Sequence, residues 1–503
     1  MSEGGIPSEV PKGWARVRLG DILARIEAGK SYKCEPRPAS TEEWGVIKVS
    51  AMTWGDFDEG ENKAVPAGFP FNPDYEIRPG DILLSRANTA AYVGASVLVR
   101  QCRPRLLLSD KSLRIVPAEG VDREWLAYLL SSPVIRSQIS ERATGTKDSM
   151  RNISQGALGE LACLLPPVEE QRRIVAALEE QLSRLDAAES TASQVLKKLL
   201  VYKASRELEI VPSPESGTAD QELAEGWRMV RLSDISHSSG YGTSTKCGYD
   251  GDGSAVLRIP NIQSGSIDTA DLKYALDADL DLSAYKVKSG DLLVVRTNGS
   301  RDLIGRVAVS HEDTEFAFAS YLIRFMIESE GVSPDWVAKV LSTRPWRRLI
   351  EAAAASTAGQ YNLNLKKLGS LPIPLPPLEQ QRSMIAMLDE IDESVRRLAS
   401  AVGDISLKGN ALRRSLLVEA FAGRLVPQDF ADEPAEALLA HVHAERGVAR
   451  ASKSRRRGPR RAPAQQKRRL DTAPAPDAPP PPQADAPTLA TATQPTLDLE
   501  MPS

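Results

Sequence analysis

No stretch of this 503-residue chain approaches the roughly 18 consecutive apolar residues that a membrane-spanning helix needs. A membrane protein is therefore not expected. The opening "MSEGGIPSEVPKGW" has neither the basic stretch nor the apolar core of a secretion signal. Cysteine is scarce: Cys34, Cys102, Cys163 and Cys247 stand alone, without CxxC spacing or nearby histidine. That excludes a disulfide framework and structural zinc, and suits a reducing, cytoplasmic setting. The four histidines (His237, His311, His441, His443) show no metal-ligand spacing. His441 and His443 fall on an expected helix, where residues two apart do not face each other.

Catalytic motifs are missing too. "GYGTSTK" ends like a phosphate-binding loop but lacks its second glycine. There is no Asn-Pro-Pro-aromatic motif of an adenine methyltransferase and no glycine-rich pocket for S-adenosylmethionine. No catalytic, cofactor-binding or metal-binding set is expected in this chain.

The net charge is −4, unevenly spread: residues 450–503 hold ten basic and five acidic residues, leaving an acidic body before them. Any nucleic-acid binding must therefore rest on local basic patches.

What the chain does contain is a copy of itself. "GWARVRLGDI" at 13–22 returns as "GWRMVRLSDI" at 226–235, and "SYKC" at 31–34 returns as "STKC" at 244–247. "VIKVSA" from Val46 answers "VLRIPN" from Val256, and "GDILLSRAN" from Gly80 answers "GDLLVVRTN" from Gly290. "WLAYLLSS" from Trp125 answers "WVAKVLST" from Trp336, and "LPPVEEQRRIVAAL" from Leu165 answers "LPPLEQQRSMIAML" from Leu375. The offset stays between 210 and 213, which means a duplicated domain and not a short-period solenoid. Within each half, short β-branched runs read as strands and "VDREWLAYLLSSPVIRSQISER" as amphipathic helix. The fold class expected is α+β, with two similar α/β domains.

Each LPP motif starts a helix. Pro167 and Pro377 suit a first turn, where the missing N–H costs nothing, and Glu169, Glu170 and Glu379 complement the helix dipole. The following residues carry a 4-3 apolar spacing: Leu178, Leu182, Leu185, Glu189, Ala192, Leu196, Leu199 in the first. The second runs Leu388, Ile391, Val395, Leu398, Val402, Ile405, Gly409, Leu412, Leu416. Only Glu189 and Gly409 interrupt the two series. Such a narrow stripe on a long polar helix predicts pairing as an antiparallel coiled coil; two helices buried in separate domains are the alternative. The expected organisation is a first domain at 1–164, a long helix at 165–210, a linker at 211–225, a second domain at 226–374, a second long helix at 375–427 and a tail at 428–503. The tail turns basic, then Pro/Ala-rich, and offers no core.

In this order the motifs resemble the specificity subunit of type I restriction–modification systems, from residue 13 to about 439. The LPP helix starts, the GW openings and "LRRSLLVEAFAGRLVPQDFADEPAEALL" carry the resemblance. It implies two target-recognition domains, each reading one half of a bipartite double-stranded DNA target, with the helices setting the spacer. It implies a chain that is not itself an enzyme. The partners would be methyltransferase subunits, two of them, and restriction/translocase subunits, with S-adenosylmethionine, ATP and Mg bound there.

Base reading favours Arg, Lys, Asn and Gln, and phosphate contacts favour Lys, Arg, Ser and Thr. The candidates for DNA contact in the first half are Lys30, Ser31, Lys33, Lys48, Ser50, Trp54, Arg86 and Asn88. In the second half they are Thr243, Ser244, Lys246, Arg258, Asn261, Arg296 and Asn298. Residues shared by both halves have a competing role as frame, an arginine tied to a carboxylate or an asparagine stabilising a turn.

Overall fold

A computed structural model describes residues 9–53, 55–68, 70–147, 150–214, 223–263, 265–357 and 360–456. The candidate Trp54, part of the linker and the tail beyond 456 lie outside the described residues. The chain divides into a unit from Met1 to His443 and another from Ala444 onward. The account below concerns the first.

The strand Ala15–Arg18 pairs antiparallel with Ala162–Leu165, so the first domain is closed by its own two ends. Between them lies a four-stranded sheet in the order Leu23–Ala28, Ser112–Pro117, Ile82–Ser85, Ser96–Leu98. Alternation along its buried strand assigns each face. Ile82 and Leu84 pack toward the helices with Trp125, while Leu83 packs with Ile47, Met52 and Leu106 beside a smaller sheet. The helix Arg123–Ser131 begins where Asp122 accepts a hydrogen bond from the Trp125 N–H at 2.9 Å, a side-chain N-cap. The second domain repeats the plan. Its ends pair as Arg228–Arg231 with Pro372–Leu375, and its sheet runs Ser238–Tyr241, Leu322–Met326, Asp291–Val295, Val307–Val309. Leu292 and Val294 face the helices; Leu293 and Val295 face the smaller sheet.

The two long helices are Val168–Ile210 and Leu378–Phe421. They run antiparallel. Arg413 pairs with Asp186 and Glu189 on the first helix, while Lys203, further along it, pairs with Asp392 near the start of the second. Each domain consequently grips the start of its own helix and the end of the other. Leu178 and Phe421 enter the core of the first domain, where the Phe421 and Trp125 rings lie 6.1 Å apart. Ile210 and Leu388 enter the core of the second. The arrangement has an approximate twofold axis across the helix pair.

The first stripe behaves as a seam from Leu178 to Leu199, every position buried or half-buried. The second departs from expectation: Ile405 and Leu412 are 39% and 47% exposed. The seam there runs instead through buried Gly409 and half-buried Arg413. The cause is the pair of interruptions, which meet. A Cβ on Gly409 would fall against the Glu189 carboxylate, and Glu189 in turn accepts from Arg413 at 2.8 Å. Glycine leaves the room that the acid uses.

Candidate nucleic-acid interface

At one end of the first domain's sheet several loops converge. Lys30 forms a backbone bridge with Ser109, Arg86 donates its N–H to the Lys111 carbonyl at 2.9 Å, and Asn88 pairs with Arg151 of the strand Met150–Asn152. This gathers Lys30, Ser31, Lys33, Arg86, Asn88 and, in addition, Lys111 and Arg151. Lys30, Ser31, Lys33 and Lys111 are exposed, and the half-buried Arg86 guanidinium has no partner among the described residues. Arg151 spends one N–H on the Gly145 carbonyl at 3.2 Å. Asn88 uses its amide locally, donating to Ser85 Oγ at 3.3 Å and accepting from the Thr89 N–H at 2.8 Å. A cationic end with unspent donors can bind phosphate and the major-groove edges of guanine.

The equivalent end of the second domain is built alike but furnished differently. Thr243 is buried: its backbone bonds Phe318 and Ser320, and its hydroxyl accepts from the Thr245 N–H at 3.2 Å. It holds the loop, leaving Ser244 and Lys246 exposed. Arg296, the counterpart of Arg86, is held down by the carbonyls of Leu363 and Ser320 at 3.2 and 3.3 Å and lies over the Tyr241 ring. Asn298 turns its carbonyl to the Ser300 N–H at 2.8 Å. Tyr321 stands where the first domain has Lys111, and Tyr361 where it has Arg151. Exposed Arg301 covers the Tyr361 ring at 5.4 Å.

The remaining candidates sit on the smaller sheet and are spent internally. Lys48 pairs with Glu61 at 3.3 Å, and Ser50 donates to the same carboxylate. Those two groups, the hydroxyl foremost, hold the Glu61 carboxyl below its usual range. Arg258 pairs with Asp271 at 3.2 Å, and Asp271 is the 210-residue counterpart of Glu61. Asn261 is 1% exposed; it accepts from the Arg258 N–H and donates to the carbonyls of Asp268 and Asp271. An ion pair repeated in both halves marks frame, and Arg258 and Asn261 hold their loop.

Sequence reasoning passed over Lys111, Tyr321, Arg151 and Arg301. The offset held the signal for the first three: "SDKSLRI" and "ASYLIRF" align Lys111 with Tyr321, and "RNIS" and "YNLN" align Arg151 with Tyr361.

Both ends rest on firm supports. Arg114 joins Asp81 at 2.9 Å and Glu27 at 2.8 Å beneath the first sheet; Arg324 meets Asp291 at 3.4 Å beneath the second. Burial pushes the Asp291 carboxyl up, opposed by the Lys288 N–H and by Arg324.

Comparison with known proteins places this architecture. The StySPI type I restriction enzyme specificity subunit of Salmonella potsdam is 24% identical over 473 residues, 89% of this chain and 99% of that protein. The EcoKI specificity subunit of Escherichia coli K12 is 22% identical over 476 residues, again 89% and 99%. A solved structure concerning complex assembly and conformational transition of the type I R-M system matches with a TM-score of 0.63 at 22% identity, covering 83% of this chain and all of that one. The crystal structure of the HsdS subunit from Thermoanaerobacter tengcongensis matches at 0.50 and 22%, covering 84% of this chain and all of that one. Both share the fold. The type I restriction modification DNA specificity domain matches twice, at residues 11–198 and 224–399, and the chain belongs to that family.

Proposed function

We propose that this chain is the non-catalytic specificity subunit of a type I restriction–modification complex, in which each domain reads one half of a bipartite DNA target. One observation carries the reading: two equivalent loop-built polar ends are held at opposite ends of one helix pair. Leu178 is rooted in the first domain and Ile210 in the second, 32 residues on along the first helix. Those residues span about 48 Å at 1.5 Å per residue. That exceeds one turn of B-DNA, about 34 Å, and suits two short half-sites with unread base pairs between them. The internal twofold also suits a duplex, whose two backbones are related by twofold axes.

The half-site contacts we propose are Lys30, Ser31, Lys33, Arg86 and Lys111 in the first domain, and Ser244, Lys246, Arg301 and Tyr321 in the second. Asn88 and Asn298 line the same ends. Methylation and cleavage belong to partner subunits, which carry the S-adenosylmethionine, ATP and Mg, in the cytoplasm. Two methyltransferase copies are supported by exposed apolar positions that recur on the two long helices. Val195, Tyr202 and Leu208 on the first helix are exposed, and so are Ile405, Leu412 and Val418, each exactly one repeat of 210 residues later. A surface presented twice fits one partner bound twice. Restriction/translocase subunits would join that core.

Modified-base sequencing of host DNA, with the gene intact and deleted, tests the reading. Loss of one methylated bipartite motif on deletion is expected. An unchanged methylome from a host that transcribes the partner genes would sink it.

A further inference from the structure

Building on that reading, we propose that the two half-sites are held by different physics: charge in the first domain, and a tyrosine, Tyr321, reading bases in the second. The two ends are the same piece of architecture, so their differences are informative. At the tip of the loop preceding the strand Ser112–Pro117 stands Lys111; at the tip preceding Leu322–Met326 stands Tyr321, 53% exposed. Neither side chain has a partner among the described residues. On the adjoining hairpin Arg151 is replaced by Tyr361. The arginine common to both ends changes state accordingly. The Arg86 guanidinium has no partner among the described residues, whereas that of Arg296 is locked by two carbonyls and the Tyr241 ring.

These three changes agree in direction. The first domain's end keeps an excess of free ammonium and guanidinium groups, whose binding to phosphate releases counterions and depends steeply on salt. The second end exchanges charge at two of those places for phenol rings and regains one guanidinium, Arg301 over Tyr361, where the first domain has Ala91. A phenol offers an apolar edge for a thymine methyl and a hydroxyl that both donates and accepts, so it discriminates bases while adding no salt dependence. Tyr321 is held out by its own backbone, its carbonyl accepting from the Arg296 N–H at 2.9 Å. The Arg86 N–H bonds the Lys111 carbonyl in the same way in the first domain, so a common backbone frame presents the lysine at one end and the tyrosine at the other.

The test uses the full chain assembled with its methyltransferase subunits and a pool of randomised DNA duplexes. The wild-type complex selects a bipartite motif, and binding to the selected duplex and to a scrambled duplex is followed across a salt series. Arg86→Ala with Lys111→Ala is expected to select the same motif, with the slope of log affinity against log salt reduced by about 2. Tyr321→Ala is expected to keep the wild-type slope, relax base preference in one half of the motif only, and bind the selected duplex about tenfold more weakly. Affinity for the scrambled duplex stays unchanged. Tyr321→Phe retains the ring and separates its contribution from that of the hydroxyl; preference retained by Phe and lost by Ala assigns the reading to the ring. An unaltered motif with Tyr321→Ala, or a lowered salt slope in that variant, overturns the proposal. A wild-type complex that selects no bipartite motif overturns the underlying reading instead.

Discussion

Gln381 accepts a hydrogen bond from the Ser333 N–H at 2.9 Å and, with its amide, reaches the carbonyls of Gly331 and Pro376. Gln171 does the same for Asp122 and Pro166 in the first domain. Both glutamines are fully buried, so the Q of each LPP motif is a bolt joining the long helix to the cap of the domain's own helix. Replacing Gln381 by Leu strands a buried N–H and two carbonyls. We expect a loss of about 2–4 kcal/mol, read by denaturant unfolding of the full chain, and a larger loss for Gln381→Glu, which would set a carboxylate against two carbonyl oxygens.

Gly409→Leu extends the apolar stripe on paper, yet its side chain would meet the Glu189 carboxylate. A destabilisation of about 1–3 kcal/mol is expected from the collision and the loosened Arg413 pair. Adding Glu189→Ala should recover most of it. Thermal melts of the single and double variants decide the matter; additive losses would refute the contact.

Glu170 begins the first long helix almost wholly buried, between Trp14, Arg173 and Asp432. Its Oε1 makes no hydrogen bond of good geometry, and burial raises its carboxyl pKa, with Trp14 and Arg173 opposing and Asp432 adding to the rise. The second domain has Gln380 at this position, accepting from Trp227 at 3.1 Å. The protonated acid is thus the better tolerated form. Stability from this site is present below the ordinary carboxylate range and lost as pH rises through the raised value. Glu170→Gln should gain about 1 kcal/mol at neutral pH, a gain that fades on acidification. Unfolding curves at several pH values would show it.

Asp392 has the opposite sign. Burial would raise its pKa, but Lys203 and Lys339 overcome that and hold it low. Its stabilisation is present above the ordinary carboxylate range and lost as pH falls through the depressed value. Asp392→Asn should cost about 1–2 kcal/mol at neutral pH, and the gap from wild type should close in acid. A gap independent of pH would show that packing, not charge, joins the second domain to the helices.

The duplication, both helix starts and most of the seam were legible because periodicity and repeated motifs survive without side-chain detail. Ile405 and Leu412 were misplaced because heptad counting treats the helix as a uniform rod. Over several turns 3.5 and 3.6 residues drift apart, and here one polar contact settles where the seam runs. Thr243 and Asn261 looked available by type, but residue type does not report burial. Matching motifs drew attention to what the halves share, whereas the two loop-built ends differ at Lys111 and Tyr321, which a search for shared residues passes over.

Glu189 over Gly409 also works as a key in a keyway. Sliding the helices by one heptad would set the acid against Val402 or Leu416 and deprive Arg413 of its bidentate partner. Such a slip would displace the domains by about 10 Å, roughly three base pairs of B-DNA. The molecule therefore treats spacer length as a digit: one setting is engaged, because only in this register do the acid, the glycine and Arg413 meet.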